Sequence, residues 1–355
     1  MSQIRIGIIF GGKSGEHEVS IVSAFNVSRA LDPSKYQVTM IGIDKTGRWC
    51  LPSKAEIDAN IAAPRKFDLT KVKTSFNILN ESKSFDVIFP VMHGTYGEDG
   101  TIQGMLEMLH IPYVGSGVLG SSAGMDKEVA KRLFDSVGVP VVPFLSIRKH
   151  EFSKNSSEII QKISQKFSYP LFVKPANMGS SVGVHKVKSA AELPAKLQDA
   201  FLYDTKVLVE KGISARELEV SILGNHELMA SVIGEIIPTH EFYSYEAKYL
   251  DENGAHLKIP AEGLTPNQES QIKEYAKKAF QVLECRGLGR VDFFVDKNDG
   301  QIYLNEINTI PGFTQISMYP KMLGASGVSY SELLNRLVQL ALEHHQERTE
   351  LKTSF

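Results

Sequence analysis

The sequence predicts a multidomain protein of mixed α/β and α+β class. Over the first 120 or so residues short apolar strands alternate with helical segments, and beyond them the order changes to strand pairs separated by single helices. At 355 residues the chain also exceeds what a single hydrophobic core serves. The expected division is residues 1–121 as an open α/β domain, 122–212 as a smaller central α+β domain, and 213–355 as a C-terminal domain.

The elements justify that division in order. Ile4 to Phe10 is an apolar strand that ends in the glycine-rich GGKSGEHEVS, and a helix follows to about Leu31. Tyr36 to Asp44 and Phe85 to Met92 supply further strands, and Gly100 to Leu109 reads as a helix. From Ser122 a helix leads to the strand VPVVPFLSI, a polar helix through Lys166, and the strand-like PLFVKP, GVHKV and KVLVEKG. The last region holds LEVSILG, ELMASVIGEII, GRVDFFVD and QIYLNEI, with helices near Asn267 to Leu283 and Ser329 to His345. The polar, aromatic stretch between Pro238 and Pro260 is too long and irregular for a plain connector; a lid over about residues 236–262 and a surface hairpin are the two readings.

Composition excludes several function classes. With 39 basic residues against 41 acidic ones the net charge is −2, so no long-range field draws a polyanion, and the expected partners are small molecules rather than nucleic acid. Two cysteines, Cys50 and Cys285, are too few for a disulfide framework and suit buried thiols in a reducing compartment. The N-terminus lacks the basic flank and apolar run of a signal peptide, and no segment reaches membrane-spanning length, so a cytoplasmic location without a membrane partner is expected.

Two motif matches fail on context. Gly7 to Ser14, GIIFGGKS, satisfies the phosphate-loop pattern, yet Ile8, Ile9 and Phe10 continue the strand where the loop should already wrap phosphates. Gly115 to Gly120, GSGVLG, satisfies the dinucleotide pattern, but the strand VPVVPFLSI downstream offers no acid for a ribose, and a tight interdomain turn is the better reading.

The strongest chemical signal lies near the C-terminus. Glu306 and Asn308 are two apart on one strand and share a face; if GRVDFFVD is its neighbour, Asp292 joins them in an all-oxygen set suited to magnesium shared with phosphates. Arg290 shares the face of Asp292 and, with a backbone N–H near Gly312, can offset charge on a reacting oxygen; a structural ion pair is its plain alternative. Upstream, KPANMGSSVGV can lay backbone N–H groups on phosphate oxygens beside Lys174. Glu210 and Glu217 are acceptors suited to an adenine amino group and ribose hydroxyls. Glu16 and His17 follow the first strand, at the carboxyl end where open α/β sheets bind ligands, and HGTYGEDG (His93 to Gly100) follows another strand into the same crevice.

In this order the motifs GGKSGEHEVS, HGTYGEDGTIQGMLE, GSGVLGSSAGMDK, VKPANMGSSVGV, YEAKYL, GRVDFF and NEINTIPGF resemble the D-alanine–D-alanine ligase family of the ATP-grasp fold, over nearly the whole chain. The resemblance implies an ATP-grasp fold behind an N-terminal substrate-binding α/β domain. It implies ATP-dependent phosphorylation of one D-alanine carboxylate and attack by the amine of a second, with two magnesium ions, manganese able to replace them, and a homodimer. Carried over by position, Lys127, Lys174 and Lys248 contact phosphates, Glu210 and Glu217 bind adenine and ribose, and backbone from Lys211 to Ile213 frames the adenine. Asp292, Glu306 and Asn308 match the metal ligands. Glu16 matches the ammonium ligand of the first D-alanine, with Ser180 and Tyr249 its partners in a link that closes the lid and His93 beside it. Arg290 and the Gly312 N–H match the oxyanion hole, and Ser317 and Met318 match the seat of the second carboxylate. EAKY in the lid resembles the dipeptide-forming type; the stretch from Trp49 to Ser84 departs from the pattern without touching a matched side chain.

Overall fold

The structure, a computed structural model, describes residues 3–239 and 255–352. Three sheets organise them. The first has four strands, β1 (Ile4–Gly11), β2 (Tyr36–Ile43), β3 (Trp49–Cys50) and β4 (Val87–Pro90), in the order β3-β2-β1-β4. β2, β1 and β4 are parallel and β3 is antiparallel at the edge. Parallel strands need cover on both faces, which is why β1 is apolar almost throughout. Alternation along β1 sends Ile6, Ile8 and Phe10 towards helix α1 (His17–Ala30), while Ile9 meets Ile41, Ile88 and Leu106 on the other face. Chain order reverses direction at β1, so its carboxyl end opens into the crevice where such sheets take ligands.

After β3, Ser53 caps α2 (Lys54–Asn60) in a reciprocal capping box, and α3 (Ile78–Glu81), α4 (Thr101–Met108) and α5 (Val118–Met125) complete the lobe and its exit. The second sheet is antiparallel, formed by β5 (Phe144–Arg148), β6 (Leu171–Pro175), β7 (His185–Val187) and β8 (Lys206–Lys211) in the order β5-β8-β6-β7. Helices α7 (Lys149–Lys166) and α8 (Leu193–Ala200) cover one face around Ile163, Leu171, Val173 and Leu197. The strand expected over VPVVPFLSI begins only at Phe144. Pro140 and Pro143 lack the donors a ladder needs, and the Pro140 carbonyl instead accepts from Leu304 N–H at 2.8 Å.

The third sheet contains β9 (Ala215–Gly224), β10 (Met229–Ala230), β11 (Gly234–Pro238), β12 (Ala255–Lys258), β13 (Gly287–Asp296) and β14 (Ile302–Asn308). Its order is β12-β11-β9-β13-β14, with β10 also on β9. ELMASVIGEII, expected as one strand, is two: between β10 and β11 the Val232 N–H turns away to the Ser326 hydroxyl at 2.8 Å. β11 and β12 pair antiparallel, Pro238 opposite Ala255, at the base of the segment expected to be a lid; residues 240–254 lie outside the described residues.

Helix α6 (Lys127–Ser136) and helix α9 (Pro266–Val282) pack on the third sheet, Phe134, Ile272 and Phe280 meeting Val220, Val291 and Phe293. Residues 123–139, which the sequence division assigns to the central domain, therefore share this core. The last helices, α10 (Met318–Ala325) and α11 (Tyr330–Thr349), pack Tyr319, Leu333 and Leu337 into one cluster with Ile6, Phe25 and Phe89 of the first lobe. First lobe and third sheet thus share a continuous core, while the second sheet keeps its own.

Candidate active site

Three strands build one wall of the site. Along β13 the residues Val291, Phe293 and Val295 are buried against α9, so Arg290, Asp292 and Phe294 face the opposite way. On β9 the same alternation buries Leu218 and Val220 and places Glu217 and Glu219 beside them, Glu219 opposite Asp292 and Glu217 opposite Phe294. On β14 strict alternation would give Leu304, Glu306 and Asn308 one face, yet Leu304 is fully buried. The register shifts between Asp292 and Phe293: Leu304 opposes Phe293 and Glu306 opposes Asp292, leaving Asn305 as an extra residue. This bulge reverses the parity and turns Glu306 and Asn308 to the site, a re-aiming that bulges perform.

The expected metal ligands thus converge. Asp292 and Glu306 are cross-strand neighbours, and Asn308 Nδ2 donates to Asp292 Oδ2 at 3.0 Å. Two carboxylates and an amide form a hard-oxygen set. Among the described residues no group of three or more His, Cys, Asp and Glu makes a metal cage by itself. Carboxylate and amide oxygens are donors of the kind that magnesium takes.

Arg290 forks onto Asp292 with two bonds of 2.7 Å and reaches Glu219 Oε2 at 3.1 Å. Burial alone would lower its pKa, but Asp292 and then Glu219 hold it well above the ordinary value, so the guanidinium is a fixed positive charge.

The second sheet supplies the facing wall. Leu171 and Val173 point into its core, so Phe172 and Lys174 face out; Glu210, opposite Phe172 on β8, joins them. Between the walls lies a cavity of about 590 Å³, lined by Lys174, Glu210, Ile213, Glu217, Phe294 and Glu306 among others. Lys127 and Lys211 also line it, and Lys127 Nζ is 3.4 Å from Glu306 Oε2 and donates to Met178 O at 2.7 Å. Glu210 is held from both sides: its Oε2 lies 2.7 Å from Lys174 Nζ and its Oε1 3.1 Å from Lys131 Nζ. Although burial pushes Glu210 up, Lys131 and Lys174 overcome it and hold the carboxyl down at about 2.

At the crevice of the first lobe, Ser14 Oγ donates to His93 O at 2.7 Å and binds the two loops together. Glu16 accepts from Ser180 Oγ, joining the first lobe to the glycine-rich loop of the second sheet. Ser180 and Ser181 sit at φ 52° and 59°, a region costly for side-chain-bearing residues and common at ligand-gripping loops. A Cβ on Gly94 or Gly179 would come within 2.6 or 2.7 Å of Glu16 Oε2, so glycine at both positions makes room for the carboxylate.

His93 is buried, its Nδ1 2.9 Å from Ile310 O and its Nε2 3.0 Å from Ser23 Oγ. Gly312 lies two residues beyond Ile310, and Ser317 Oγ accepts from Thr314 N–H at 2.9 Å. The Met318 side chain is buried beside Met322, so it can serve a ligand only through its N–H at the start of α10. Lys248 and Tyr249 lie outside the described residues.

Neither rejected motif forms a nucleotide loop. Gly7 sits inside β1, and the Lys13 side chain lies against Gly47. In GSGVLG, Gly120 packs where a Cβ would be 2.9 Å from Glu284 O, a close approach between lobes rather than a ligand loop.

Sequence reasoning missed Glu98, Glu219, Lys131 and Asn305. Glu98 accepts from Gly94 N–H at 2.8 Å and Ile310 N–H at 3.0 Å, so Glu98 and His93 hold both polar groups of one residue. Glu219 was discoverable, since E-L-E on a strand gives two acids one face. Lys131 was discoverable four residues after Lys127 on one helix face; the bulge at Asn305 left no sequence signal.

Two antiparallel sheets clasping a cavity, with paired lysines on one wall and an oxygen-ligand set on the other, behind an open α/β lobe, define an ATP-grasp enzyme. Family models agree and are more specific: "D-ala D-ala ligase N-terminus" matches residues 5–116 and "D-ala D-ala ligase C-terminus" matches residues 133–339. The chain belongs to the D-alanine–D-alanine ligase family. It is 47% identical to the D-alanine–D-alanine ligase of Caldicellulosiruptor bescii, across 100% of this chain and 99% of that protein. It is likewise 47% identical to D-alanine–D-alanine ligase A of Bradyrhizobium diazoefficiens, across 99% of each. Among solved structures, the D-alanine–D-alanine ligase from Coxiella burnetii superposes with a TM-score of 0.82 at 35% identity, covering 99% of this chain and 97% of that one. The VanG D-Ala:D-Ser ligase from Enterococcus faecalis superposes at 0.83 with 34% identity, covering 96% and 100%.

Proposed function

We propose that the chain is an ATP-dependent D-alanine–D-alanine ligase that forms D-alanyl-D-alanine through a D-alanyl phosphate, for peptidoglycan synthesis. The observation that carries this is the face-to-face arrangement of Arg290, Asp292, Glu306 and Asn308 against Lys174 and Glu210, with Glu16 reaching Ser180 at the edge.

Glu16 receives the ammonium of the first D-alanine and orients its carboxylate towards the γ-phosphate. Lys127, Lys174 and, from the lid, Lys248 contact the phosphates; Glu210, Glu217 and the backbone from Lys211 to Ile213 take the nucleoside. Asp292, Glu306 and Asn308 would hold two magnesium ions, with manganese able to replace them, and the metal would offset the charge of the phosphates. A carboxylate oxygen attacks the γ-phosphorus and ADP leaves. The amine of the second D-alanine, its carboxylate seated by Ser317 and the Met318 N–H, then attacks the acyl carbon; it loses a proton and phosphate departs. Arg290 and the Gly312 N–H stabilise the oxyanion of that step, where fixed donors act most strongly. Ser180 and Tyr249 link Glu16 to the closed lid, and His93 holds the first substrate's seat. The working enzyme is a cytoplasmic homodimer.

The test is phosphate release by the purified chain. It should require both magnesium and D-alanine and stop on chelation, and equal turnover with L-alanine would overturn the substrate assignment. Offering D-alanine against D-serine and D-lactate, with the products separated by mass, identifies the second substrate; D-alanyl-D-alanine should dominate.

A further inference from the structure

Lys131 is fully buried on α6, does not line the cavity, and has no part in the reaction as described above. Its ammonium lies 3.1 Å from Glu210 Oε1, and the other oxygen of that carboxylate lies 2.7 Å from Lys174 Nζ. Lys174 does line the cavity, where Asn305 Oδ1 accepts from it at 3.3 Å and the Phe294 ring lies beneath it. Lys131, Glu210 and Lys174 thus form one buried row, plus, minus, plus, with the last charge at the cavity wall.

We propose that Lys131 is a positioning residue for the polyphosphate: by occupying one oxygen of Glu210 it leaves the row with a net positive charge presented by Lys174. Without it, Glu210 and Lys174 are a closed pair. The carboxylate then cancels the ammonium 2.7 Å away, and the wall offers a phosphate little attraction. Lys127, on the same face of α6, approaches Glu306 of the third sheet, so one helix sets charged groups in both walls. Burial lowers the Lys131 pKa from the ordinary lysine value, and the Glu210 carboxylate beside it acts against that and favours the ammonium.

The inference rests on the reading that this cavity takes ATP, and the test separates the two. Binding of ATP, ADP and adenosine is measured by calorimetry for the wild-type chain, Lys131→Met and Lys131→Arg. Met keeps the aliphatic stem, and Glu210 keeps a partner in Lys174, so no buried charge is left alone. Thermal unfolding of each variant checks the fold.

For Lys131→Met the expected result is a loss of about tenfold or more in ATP and ADP affinity with adenosine affinity unchanged, the size one desolvated charge contact carries. Lys131→Arg should retain most of the affinity. Unchanged ATP affinity in Lys131→Met would overturn the proposal. Equal loss of ATP and adenosine would also overturn it by marking Lys131 as structural. A wild-type chain that binds no nucleotide would instead defeat the ATP reading itself.

Discussion

Arg290 shows how one side chain serves two ends. Its forks to Asp292 and contact with Glu219 are the structural ion pair that the sequence allowed as the plainer reading, and they also hold the guanidinium on the reacting face. Lysine keeps the charge but loses the planar fork. Arg290→Lys should therefore lower kcat by about a hundredfold while changing ATP affinity by no more than about twofold, since the role lies in the transition state. Steady-state kinetics with calorimetric ATP titration checks this. Glu98 makes a pH prediction. Burial, then the charge of Glu16, pushes its carboxyl from 4.5 up to about 8. Between those values the folded chain holds a proton that the unfolded chain has released. The stability from the neutral form is complete below 4.5 and is lost as pH rises through about 8. Glu98→Gln loses one backbone bond at every pH, but its Tm should fall less steeply than wild type across that window; parallel slopes would remove the argument.

At the scale of elements, the strands that carry the site were legible because apolar and polar residues alternate with period two in GRVDFFVD and in the start of LEVSILG. Pairing of Asp292 with Glu306 bears out the inferred neighbourhood of GRVDFFVD and QIYLNEI. What sequence could not disclose is the bulge at Asn305: read without it, LNEIN sends Glu306 to the same side as the buried Leu304. Alternation of two similar faces carries no mark of where a ladder slips. The glycine-rich loop was legible as a phosphate cradle, yet its grip on Glu16 depends on two loops from different lobes meeting. Gly179→Ala would place a Cβ 2.7 Å from Glu16 Oε2. It should raise the KM for D-alanine by about tenfold or more while leaving ATP affinity near wild type, because the carboxylate must shift from its ammonium-binding position. Initial rates at varied D-alanine and saturating ATP measure it.

Across the whole molecule, the division at residues 121 and 212 follows the order of motifs more closely than the packing. Tyr319, Leu333 and Leu337 fill the core of the first lobe, and Phe134 fills that of the third sheet; such long-range partners leave no periodic trace in sequence. One consequence is measurable with the single tryptophan. Trp49 lies in the first lobe, stacked 6.4 Å from Phe76. A shared core makes lobe and third sheet one cooperative unit. In urea, Trp49 fluorescence and the circular dichroism of the main transition should have coincident midpoints, and an earlier fluorescence change would show the lobe unfolding by itself.

Ile310 stands between the metal-ligand strand and Gly312, and its N–H and carbonyl are gripped by Glu98 and His93 of the first lobe. The first lobe is thereby bolted to the loop that follows β14. In such an architecture a change of substrate preference has few routes. Re-angling the lobes would tear the grip that aligns Gly312, so new preferences must arise by exchanging side chains around a seat whose backbone stays where it is.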